Sequence, residues 1–541
     1  MRGKALGVWL MVSMMSTAGL GAAGGPTRVV DAVKKGDKVA VRALLRQHAD
    51  VNVPEGDGTT AMHWAAFHDD LATADLLIAA GANVKGANTF GVTPLTIAAM
   101  NGNAPMIEKL LKAGADANVT IAGSETALMT AARTGNADAV ASLIAHGAKV
   151  NATNPSGQTA LMFAAAEGHN PVVKALLAAG ADLHARTSPP TRARGAMTAN
   201  GNVAATPAAP TGRPLNAAIS GTSEAVVGSP NPKNGRPIID IAASNVSPAL
   251  RSGGLTPLTF AVREGQLDTV RLLIEAGADP NEKLPDGSSA LVLAATNANY
   301  ELGIFLVDKG ADPNAAENGW TALHTLSWVR HPNFGFNPPG PVVGGNMDSL
   351  AFAKAMVARG ANVNARITKE VTNGYRNALN RLGATPLLMA ARLADVQLMR
   401  ALVQLGADPK LTTEDNATVL QVAAGVGIHS PGEDPGTEEE ALACVKYAIE
   451  LGGDPNAADD NDDTPLHGAA YRGAPSIVQY LVDHGANTFN KKNIYGWTPL
   501  RIADGIYRTA TYKESAPTAA LLRQLMAKQS ADATTTPQPV R

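Results

Sequence analysis

The chain has 541 residues, of which 45% are hydrophobic and 17% are charged. This composition supplies enough apolar surface for a folded core and excludes a generally disordered chain. Lys and Arg total 45 against 47 Asp and Glu, so the formal net charge is −2. Because binding to nucleic acid needs a clustered basic surplus, the sequence predicts no nucleic-acid partner.

The N-terminal segment is predicted to direct export. Arg2 and Lys4 give it a positive start, and an apolar run and several small residues follow, with a cleavage site after Ala23. The alternative is a membrane anchor, but the apolar run is short and is interrupted by glycine and serine. Residues 1–23 are therefore predicted to be a signal peptide. The mature protein is expected to be periplasmic or secreted, with no stable membrane span.

A threonine recurs along the chain at a spacing that indicates internal repeats. Its first four copies lie 33 residues apart, at Thr60, Thr93, Thr126 and Thr159. The same position recurs at Thr256, Ser289, Thr321, Thr385, Thr418, Thr464 and Thr498. A period of this length is typical of a supersecondary unit that cannot bury its apolar face alone and therefore stacks on its neighbours.

The stretch TPLHGAAYRGAPSIVQYLVDHGAN, residues 464–487, shows the role of each position. Thr464 is expected to cap a first helix that begins at Pro465 and ends at Gly473. A second helix is expected to bury residues at helical spacing, namely Ile477, Val478, Leu481 and Val482. Each repeat is therefore predicted to be a pair of helices followed by a turn.

The motifs TPLTIAAMNGN, TALMTAARTGN, TPLTFAVREGQ and TPLHGAAYRGA resemble those of the ankyrin repeat family. The resemblance covers nearly all of the chain after the export segment. It implies an all-α ankyrin-repeat solenoid of paired antiparallel helices with projecting turns, with 11 repeats and an N-terminal capping helix pair. It also implies a non-enzymatic scaffold that binds another protein through its concave face and turns. In this family the motif histidine, here His63, His324 and His467, ties neighbouring turns together.

A narrower resemblance concerns a group of exported bacterial ankyrin repeat proteins of unsettled role. It is carried by NPPGP, GNMDSL, SPGED, GAAYRGAPS and GWTPLRIADG. The resemblance implies a location in the cell envelope and the same fold, without a mechanism. The chain is expected to act as a monomer.

The repeats are separated by a long insertion. Residues 27–186 are predicted to hold the N-terminal cap and repeats 1–4, and residues 255–528 to hold repeats 5–11. The Pro-, Gly- and Ala-rich segment 187–254 is predicted to be a projecting loop or a partly ordered linker, with a degenerate repeat as the alternative. Further inserted loops are predicted at 329–349, 367–383 and 428–440. Residues 529–541 are predicted to be a disordered tail.

The sequence lacks the common motifs of catalytic and cofactor sites, including HExxH, the Walker phosphate loop, GxSxG and CxxC. The residues 425–430, GVGIHS, begin like a dinucleotide loop but lack its third glycine. The acidic run 459–463 lacks the glycine and the distal glutamate of a calcium loop. Cys444, the only cysteine, is expected to be a small core side chain. No catalytic residue, metal or cofactor is therefore predicted.

Exposed aromatic residues are the best candidates for contacts with a partner, since such residues often anchor protein interfaces. The candidates just before the capping position are Val92, Trp320 and Trp497. Those just after the paired small residues of the first helix are Phe67, Met100, Trp328 and Tyr471. Phe334 and Phe336, in the insertion at 329–349, complete the set. The alternative is that several of these side chains only cover the ends of repeats.

Two other functions stay open. The insertions at 186–254 and 329–349 are long enough to build the site of an enzyme or a ligand-binding protein. A mainly structural component of the cell envelope is the other alternative, and it would have many weak partners.

Overall fold

The computed structural model of the chain describes residues 27–121, 125–188, 226–230, 237–240, 253–331, 341–369, 379–428, 436–508 and 511–535. The predicted signal peptide lies outside these residues, as do Phe334 and Phe336. The chain divides into two compact units. Unit 1 comprises the described residues up to 188 together with 253–279, and unit 2 comprises 226–230, 237–240 and the described residues from 280 onwards.

Each repeat begins with a capped first helix, and the tenth repeat illustrates how the sequence produces it. Thr464 has an extended backbone, and its N–H donates to Nδ1 of His467 over 3.1 Å. The helix begins at Pro465 and ends at Gly473, whose φ of 71° lies in the left-handed region. In the second helix Ile477, Val478 and Leu481 are fully buried. The roles predicted for these positions are confirmed, except that Val482, also predicted to be buried, is half-buried.

Unit 1 consists of a capping helix pair and five repeats. The cap is formed by α1 (Val29–Lys34) and α2 (Lys38–Arg46). The first and second helices of the repeats are α3 (Ala61–Phe67) and α4 (Leu71–Ala79), α5 (Pro94–Asn101) and α6 (Ala104–Lys112), α7 (Ala127–Thr134) and α8 (Ala137–Ala145), α9 (Ala160–Glu167) and α10 (Asn170–Ala178), and α11 (Pro257–Arg263) and α12 (Leu267–Glu275). The antiparallel strands β1 (Thr120–Ile121) and β2 (Glu125–Thr126) form the turn before α7.

Unit 2 contains six more repeats. Their first and second helices are α13 (Ala290–Thr296) and α14 (Tyr300–Asp308), α15 (Ala322–Arg330) and α16 (Ser349–Val357), α17 (Pro386–Arg392) and α18 (Val396–Gln404), α19 (Val419–Ala424) and α20 (Glu438–Glu450), α21 (Pro465–Arg472) and α22 (Pro475–Asp483), and α23 (Pro499–Asp504) and α24 (Ala516–Thr535). Two antiparallel hairpins are also formed, by β3 (Val226–Pro230) with β4 (Pro237–Asp240) and by β5 (Ile506–Arg508) with β6 (Thr511–Lys513). The described helices therefore account for the 11 repeats and the cap expected from the sequence.

Within each unit, helices of the same kind pack on each other from one repeat to the next. First helices form one layer and second helices form another. The first helices approach closely because small residues lie between them, and Ala65, Ala66, Ala98 and Ala99 are all fully buried. The stacking thus buries apolar faces that an isolated helix pair would leave in water.

The long insertion leaves unit 1 and returns to it at one point. The N–H of Thr187 donates to the carbonyl of Leu255 over 2.9 Å, and the N–H of Gly254 donates to the carbonyl of Thr187 over 2.7 Å. Helix α9 packs directly on α11, on the other side of the insertion. The stack therefore continues without interruption. The hairpin of β3 and β4 lies within this segment. The degenerate repeat suggested in RPLNAAISG (213–221) or IIDIAASN (238–245) lies outside the described residues, except for 238–240, which belong to strand β4.

An asparagine ladder joins successive repeats through their turns. In one rung, Nδ2 of Asn314 donates to the carbonyl of Gly360 over 2.9 Å, and Oδ1 of Asn314 accepts the N–H of Asn362 over 2.6 Å. The other asparagines that make the same pair of contacts are Asn52, Asn118, Asn151, Asn281, Asn364 and Asn456. Each glycine carbonyl follows the end of a second helix, where helix carbonyls lack intrahelical partners. The ladder satisfies them.

The motif histidines tie neighbouring turns, as the resemblance implied. Nε2 of His63 lies 3.0 Å from the carbonyl oxygen of Val92. The corresponding distances are 3.2 Å from His324 to the carbonyl of Ala384 and 3.1 Å from His467 to that of Trp497. Nδ1 of each ring accepts the N–H of the capping threonine, so the ring is neutral and carries its proton on Nε2. Burial lowers the pKa of all three and brings that of His324 to about 4.

Three predictions about local features have a clear outcome. Helix α24 continues to Thr535, so residues 529–535 are helical and not disordered as predicted; Gln529, Ala531 and Ala533 favour a helix, and no proline lies between residues 529 and 536. The acidic end of the predicted loop 428–440 is the first turn of α20, which Thr437 caps. Cys444 is fully buried, and burial raises the pKa of its thiol to about 12.

Replacement of Asn314 by alanine is expected to lower the free energy of unfolding by about 1–3 kcal/mol, since it removes both hydrogen bonds of one rung. The measurement is a urea unfolding curve together with amide exchange at Asn362, whose N–H donates to Asn314. Lys410 is the matched control because it occupies the ladder position two repeats later and its side chain is exposed. Lys410→Ala should change stability by less than about 0.5 kcal/mol. Equal effects of the two substitutions would contradict the ladder.

The substitution His324→Gln is expected to flatten the acid side of the stability profile. An unfolded histidine takes up a proton near pH 6.5, whereas folded His324 stays neutral down to about pH 4. Stability should therefore fall by about 1.4 kcal/mol per pH unit between these values on account of this residue. Gln421 already occupies the equivalent position, where it accepts the N–H of Thr418 and donates to the carbonyl of Asp463.

To check this, the urea concentration at half unfolding is measured for the wild type and for His324→Gln between pH 7 and about pH 4. This range spans the pKa of histidine in the unfolded chain and that of His324 in the folded protein. The two curves should separate as the pH falls and lie close together at neutral pH. Parallel curves would show that His324 is not the titrating group.

Candidate partner-binding surface

The seventh residue after the capping threonine lies on the outer side of the first-helix layer of unit 1. Phe67, Met100, Arg133 and Arg263 occupy this position, and the fourth repeat has Ala166 there. The arginine of the third repeat is exposed, and the other three large side chains are half-buried. These positions therefore form a row of accessible side chains across five repeats.

Aromatic rings at the fourth residue after the cap support this row. The guanidinium carbon of Arg133 lies 4.4 Å from the ring centroid of Phe163 in the next repeat. That of Arg263 lies 4.9 Å from the ring of Phe260 in its own helix. Arg133 also forms an ion pair with Glu125. Arg263 likewise pairs with Glu264 over 2.8 Å. The cation–π contacts and these ion pairs restrict the orientation of both guanidinium groups.

The N-terminal end of the row is held by a tryptophan. Nε1 of Trp64 donates to Glu55 over 2.8 Å, and Nζ of Lys34 lies 2.7 Å from the same carboxylate. The ring of Phe67 meets Trp64 edge to face, with centroids 5.6 Å apart, and His68 stacks on Trp64 at 5.8 Å and also contacts Phe67 at 5.4 Å. Trp64 is buried, so it supports Phe67 and does not itself reach a partner.

Side-chain hydrogen bonds tie the end of a first helix in unit 1 to the residue that precedes the second helix of the next repeat. Asn136 donates to the carbonyl of Gly102 over 2.6 Å, His169 lies 2.9 Å from the carbonyl of Arg133, and Gln266 donates to that of Ala166 over 3.2 Å. The last of these contacts spans the long insertion. The row is thus built on preorganised elements, which reduces the entropy lost on binding. We call Phe67, Met100, Arg133, Phe163 and Arg263 the unit 1 face.

Unit 2 brings together Trp320 and Trp328. Their rings meet edge to face with centroids 6.2 Å apart, and both side chains are half-buried against the core. Helix α15, which carries Trp328, is held at its end by Arg330, whose guanidinium pairs with the buried Asp395 and donates to Ser349 over 2.7 Å. The predicted pair therefore exists as a contact, while its two phenylalanine neighbours in the insertion lie outside the described residues.

The remaining predicted contact residues lie apart from these two sites. Trp497 is half-buried and stacks on the exposed Tyr495, with centroids 4.8 Å apart. Val92 is 8% exposed. Tyr471 is fully buried, and its hydroxyl accepts from Asn493 over 2.9 Å. The structure therefore gives Tyr471 and Val92 interior roles, because neighbouring segments cover them.

Segments of the chain itself occupy the first-helix layer near the end of unit 2. The buried Lys513, on β6, donates to the carbonyl of Ile428 over 2.8 Å and lies 5.4 Å from the ring of Tyr471. Leu379, from the segment before α17, packs so closely on Gly427 that a Cβ there would meet it at 2.3 Å. This region is filled from within the chain, whereas the row in unit 1 keeps half-buried and exposed side chains in the part of the chain that the structure describes.

Sequence reasoning missed Arg133, Phe163 and Arg263, although it identified Phe67 and Met100. The signal was present, because both arginines occupy the position at which Phe67, Met100, Trp328 and Tyr471 were selected. The sequence-based selection considered only aromatic and other apolar residues at that position.

Among the residues that the structure describes, no helix is long and apolar enough to cross a membrane.

Comparison with known proteins gives the following relatives. A curated protein of Mus musculus, ankyrin repeat and SOCS box protein 16, is 30% identical over 248 residues, which are 46% of this chain and 47% of that protein. The E3 ubiquitin-protein ligase KEG of Arabidopsis thaliana is 24% identical over 275 residues, which are 49% of this chain and 15% of the ligase. The chain thus spans about half the length of the first of these relatives and less of the second.

A solved structure, the human ASB11 ankyrin repeat domain, is similar with a TM-score of 0.38 and 21% identity over 53% of this chain and 100% of that one. The family model described as ankyrin repeats (3 copies) matches residues 29–121, 98–187, 258–334 and 437–511. A second model, described as ankyrin repeat, matches residues 382–414. Since the first model alone covers more than half of the chain, this protein belongs to the ankyrin repeat family.

Proposed function

We propose that the protein is a non-enzymatic scaffold that binds another protein through the unit 1 face. Ankyrin repeats suggest protein–protein interaction in general, and the observation that carries this specific proposal is the open row of Phe67, Met100, Arg133 and Arg263 on rigid first helices. Arginine and aromatic residues dominate the energetics of protein interfaces. The ligase activity named for the Arabidopsis relative is no part of the proposal, since the match covers only 15% of it.

The chemistry of the face indicates what a partner would present. Arg133 and Arg263 lie over phenylalanine rings, so each offers a planar guanidinium with an apolar base. Carboxylates pair with such groups in a bidentate geometry. Phe67 and Met100 supply apolar area at one end of the row. The partner is therefore expected to carry acidic residues toward the α11 end of the face and apolar residues toward the α3 end.

We also propose that this scaffold is exported. The support is the N-terminal composition, in which Arg2 and Lys4 precede an apolar run and a small-residue cleavage site. An exported scaffold would meet its partner in the cell envelope or outside the cell. The binding proposal does not depend on this location.

Alanine at Met100, Arg133 and Arg263 together is expected to weaken capture of the partner by about thirtyfold, which corresponds to about 2 kcal/mol. The measurement is quantitative mass spectrometry of proteins retained from an extract of the source cells on the immobilised chain. The matched control is Lys149→Ala with Lys174→Ala, because both lysines are exposed in unit 1 away from the face.

Trp328→Ala provides the competing arm of this experiment, since Trp328 belongs to the other aromatic pair. The proposal requires a retained protein that is lost with the triple variant and kept with the control and with Trp328→Ala. Loss with Trp328→Ala alone would place the binding surface in unit 2. Identical retention by all variants would overturn a dedicated surface on either unit.

Expression of the full chain in a bacterium should yield a mature protein whose first residue is Gly24, as determined by N-terminal sequencing and mass. Replacement of Leu10 and Val12 by arginine breaks the apolar run and should leave the precursor uncleaved in the cytosol. A wild-type protein that keeps residues 1–23 in every cell fraction would refute cleavage after Ala23.

A further inference from the structure

A groove in the second-helix layer of unit 1 lies outside the surface that the proposed function uses. It is formed between α2 of the cap and α4 of the first repeat. Its apolar lining consists of Leu45, Ala49, Val51, Leu76, Ala79 and Ala80. Arg42, Arg46 and His48 line it as well, and all three are exposed. The groove therefore combines apolar walls with basic side chains.

The basic residues of the groove have no partner among the residues that the structure describes, in contrast to the lysines around them. Nζ of Lys34 lies 2.7 Å from Glu55, and Nζ of Lys38 lies 2.9 Å from Asp70. Arg42, Arg46 and His48 make neither a hydrogen bond nor an ion pair through their side chains. The carboxylate that lines the groove, Asp50, accepts the N–H of Asn52 over 2.8 Å.

The next two junctions show what normally satisfies a charge at the position of Arg42. Arg42 is the fifth residue after Asp37, the N-cap residue of α2. Asp75 and Glu108 occupy the same position in the second helices of the first and second repeats. Asp75 pairs with Lys109 of the following second helix over 2.6 Å. Glu108 accepts a hydrogen bond from Ser142, again in the following second helix. Charges at this position are thus bridged to the next repeat.

The junction between cap and first repeat lacks this bridge. The residue of α4 that corresponds to Lys109 and Ser142 is Leu76, which cannot accept a hydrogen bond from Arg42. Arg46 lies in the last turn of α2, where the helix dipole favours a cation. That effect does not extend to Arg42, which lies one turn earlier. Arg42 thus lies beside an apolar wall, and none of the described carboxylates, including Asp50 at the edge of the groove, pairs with its guanidinium.

We propose that this groove binds a peptide segment of a partner protein that carries two carboxylates about 6 Å apart with an apolar side chain between them. The spacing follows from Arg42 and Arg46, which are one helical turn apart on α2. Each guanidinium can take a carboxylate in a bidentate geometry. The apolar side chain would cover Leu45 and Leu76, which are half-buried in the groove wall. This site is independent of the unit 1 face.

The shape of the site favours a peptide over an anionic membrane surface. Apolar residues that insert into a bilayer protrude from the protein, as in amphipathic helices that lie in the interface. Here Val51 is 4% exposed, and Leu45 and Leu76 are half-buried between two helices. A single chain segment can enter such a groove, whereas a lipid surface would contact only the arginines.

The test uses a phage-displayed random peptide library selected on the full chain and counter-selected on Arg42→Glu/Arg46→Glu. Peptides that distinguish the two proteins should carry paired Asp or Glu residues beside Leu, Ile or Phe. By fluorescence anisotropy, the double variant should weaken binding of a selected peptide by about tenfold or more, and so should replacement of the peptide's acidic residues by their amides. High salt should weaken binding as well.

Lys149→Glu/Lys174→Glu is the matched control, since it makes the same charge change on exposed lysines of unit 1 outside the groove. It should bind the peptide as the wild type does, and so should the triple variant of the unit 1 face. Circular dichroism melting of all variants checks that each one is folded. Selection of no distinguishing peptide, or equal loss in the lysine control, would overturn the proposal. Binding of vesicles that contain phosphatidylglycerol, without peptide binding, would also overturn it and indicate a lipid-facing surface.

Discussion

The asparagine side chain that bridges one turn to the next is the interaction on which the repeat array depends. A second helix ends with carbonyl groups that have no intrahelical partner. The asparagine amide supplies a donor to the carbonyl after that helix and an acceptor to the N–H two residues later, as Asn118 does for Gly147 and Lys149. One planar group thus sets both the distance and the register between repeats. The packing of the two layers follows from that register.

This local bridge explains how the array accommodates insertions. The contacts of Asn314 reach residues 46 and 48 positions ahead instead of the usual 29 and 31, because the insertion between α15 and α16 leaves the positions of the helix ends unchanged. The insertion after residue 188 is closed in the same way by Thr187 and Leu255. Inserted segments can therefore vary in length without a change in the stack, although some of them settle on the first-helix layer, as Leu379 and Lys513 do.

The two surfaces of unit 1 differ in how their arginines are held. On the first-helix side, Arg133 and Arg263 rest on phenylalanine rings, and Arg133 also pairs with Glu125. On the second-helix side, Arg42 and Arg46 lie beside aliphatic residues, and no acidic side chain of the described segments pairs with them. A preorganised guanidinium gives geometric selectivity, whereas an unpaired one gains more from a carboxylate that arrives with a ligand. The layered architecture places both kinds of site on one rigid element.

The sequence by itself determined the fold class and the repeat positions, because a 33-residue period with capping threonine, small residues and terminal glycine leaves one way to bury the apolar faces. It also indicated the tie made by His63, His324 and His467, and the interior position of Cys444. Only the tertiary structure decided which residues at equivalent positions are accessible. Phe67 and Tyr471 follow the same motif, yet Phe67 is half-exposed and Tyr471 is fully buried. The difference arises from segments distant in sequence, such as β6, that pack over one repeat and not over the other, and a local pattern carries no record of such contacts.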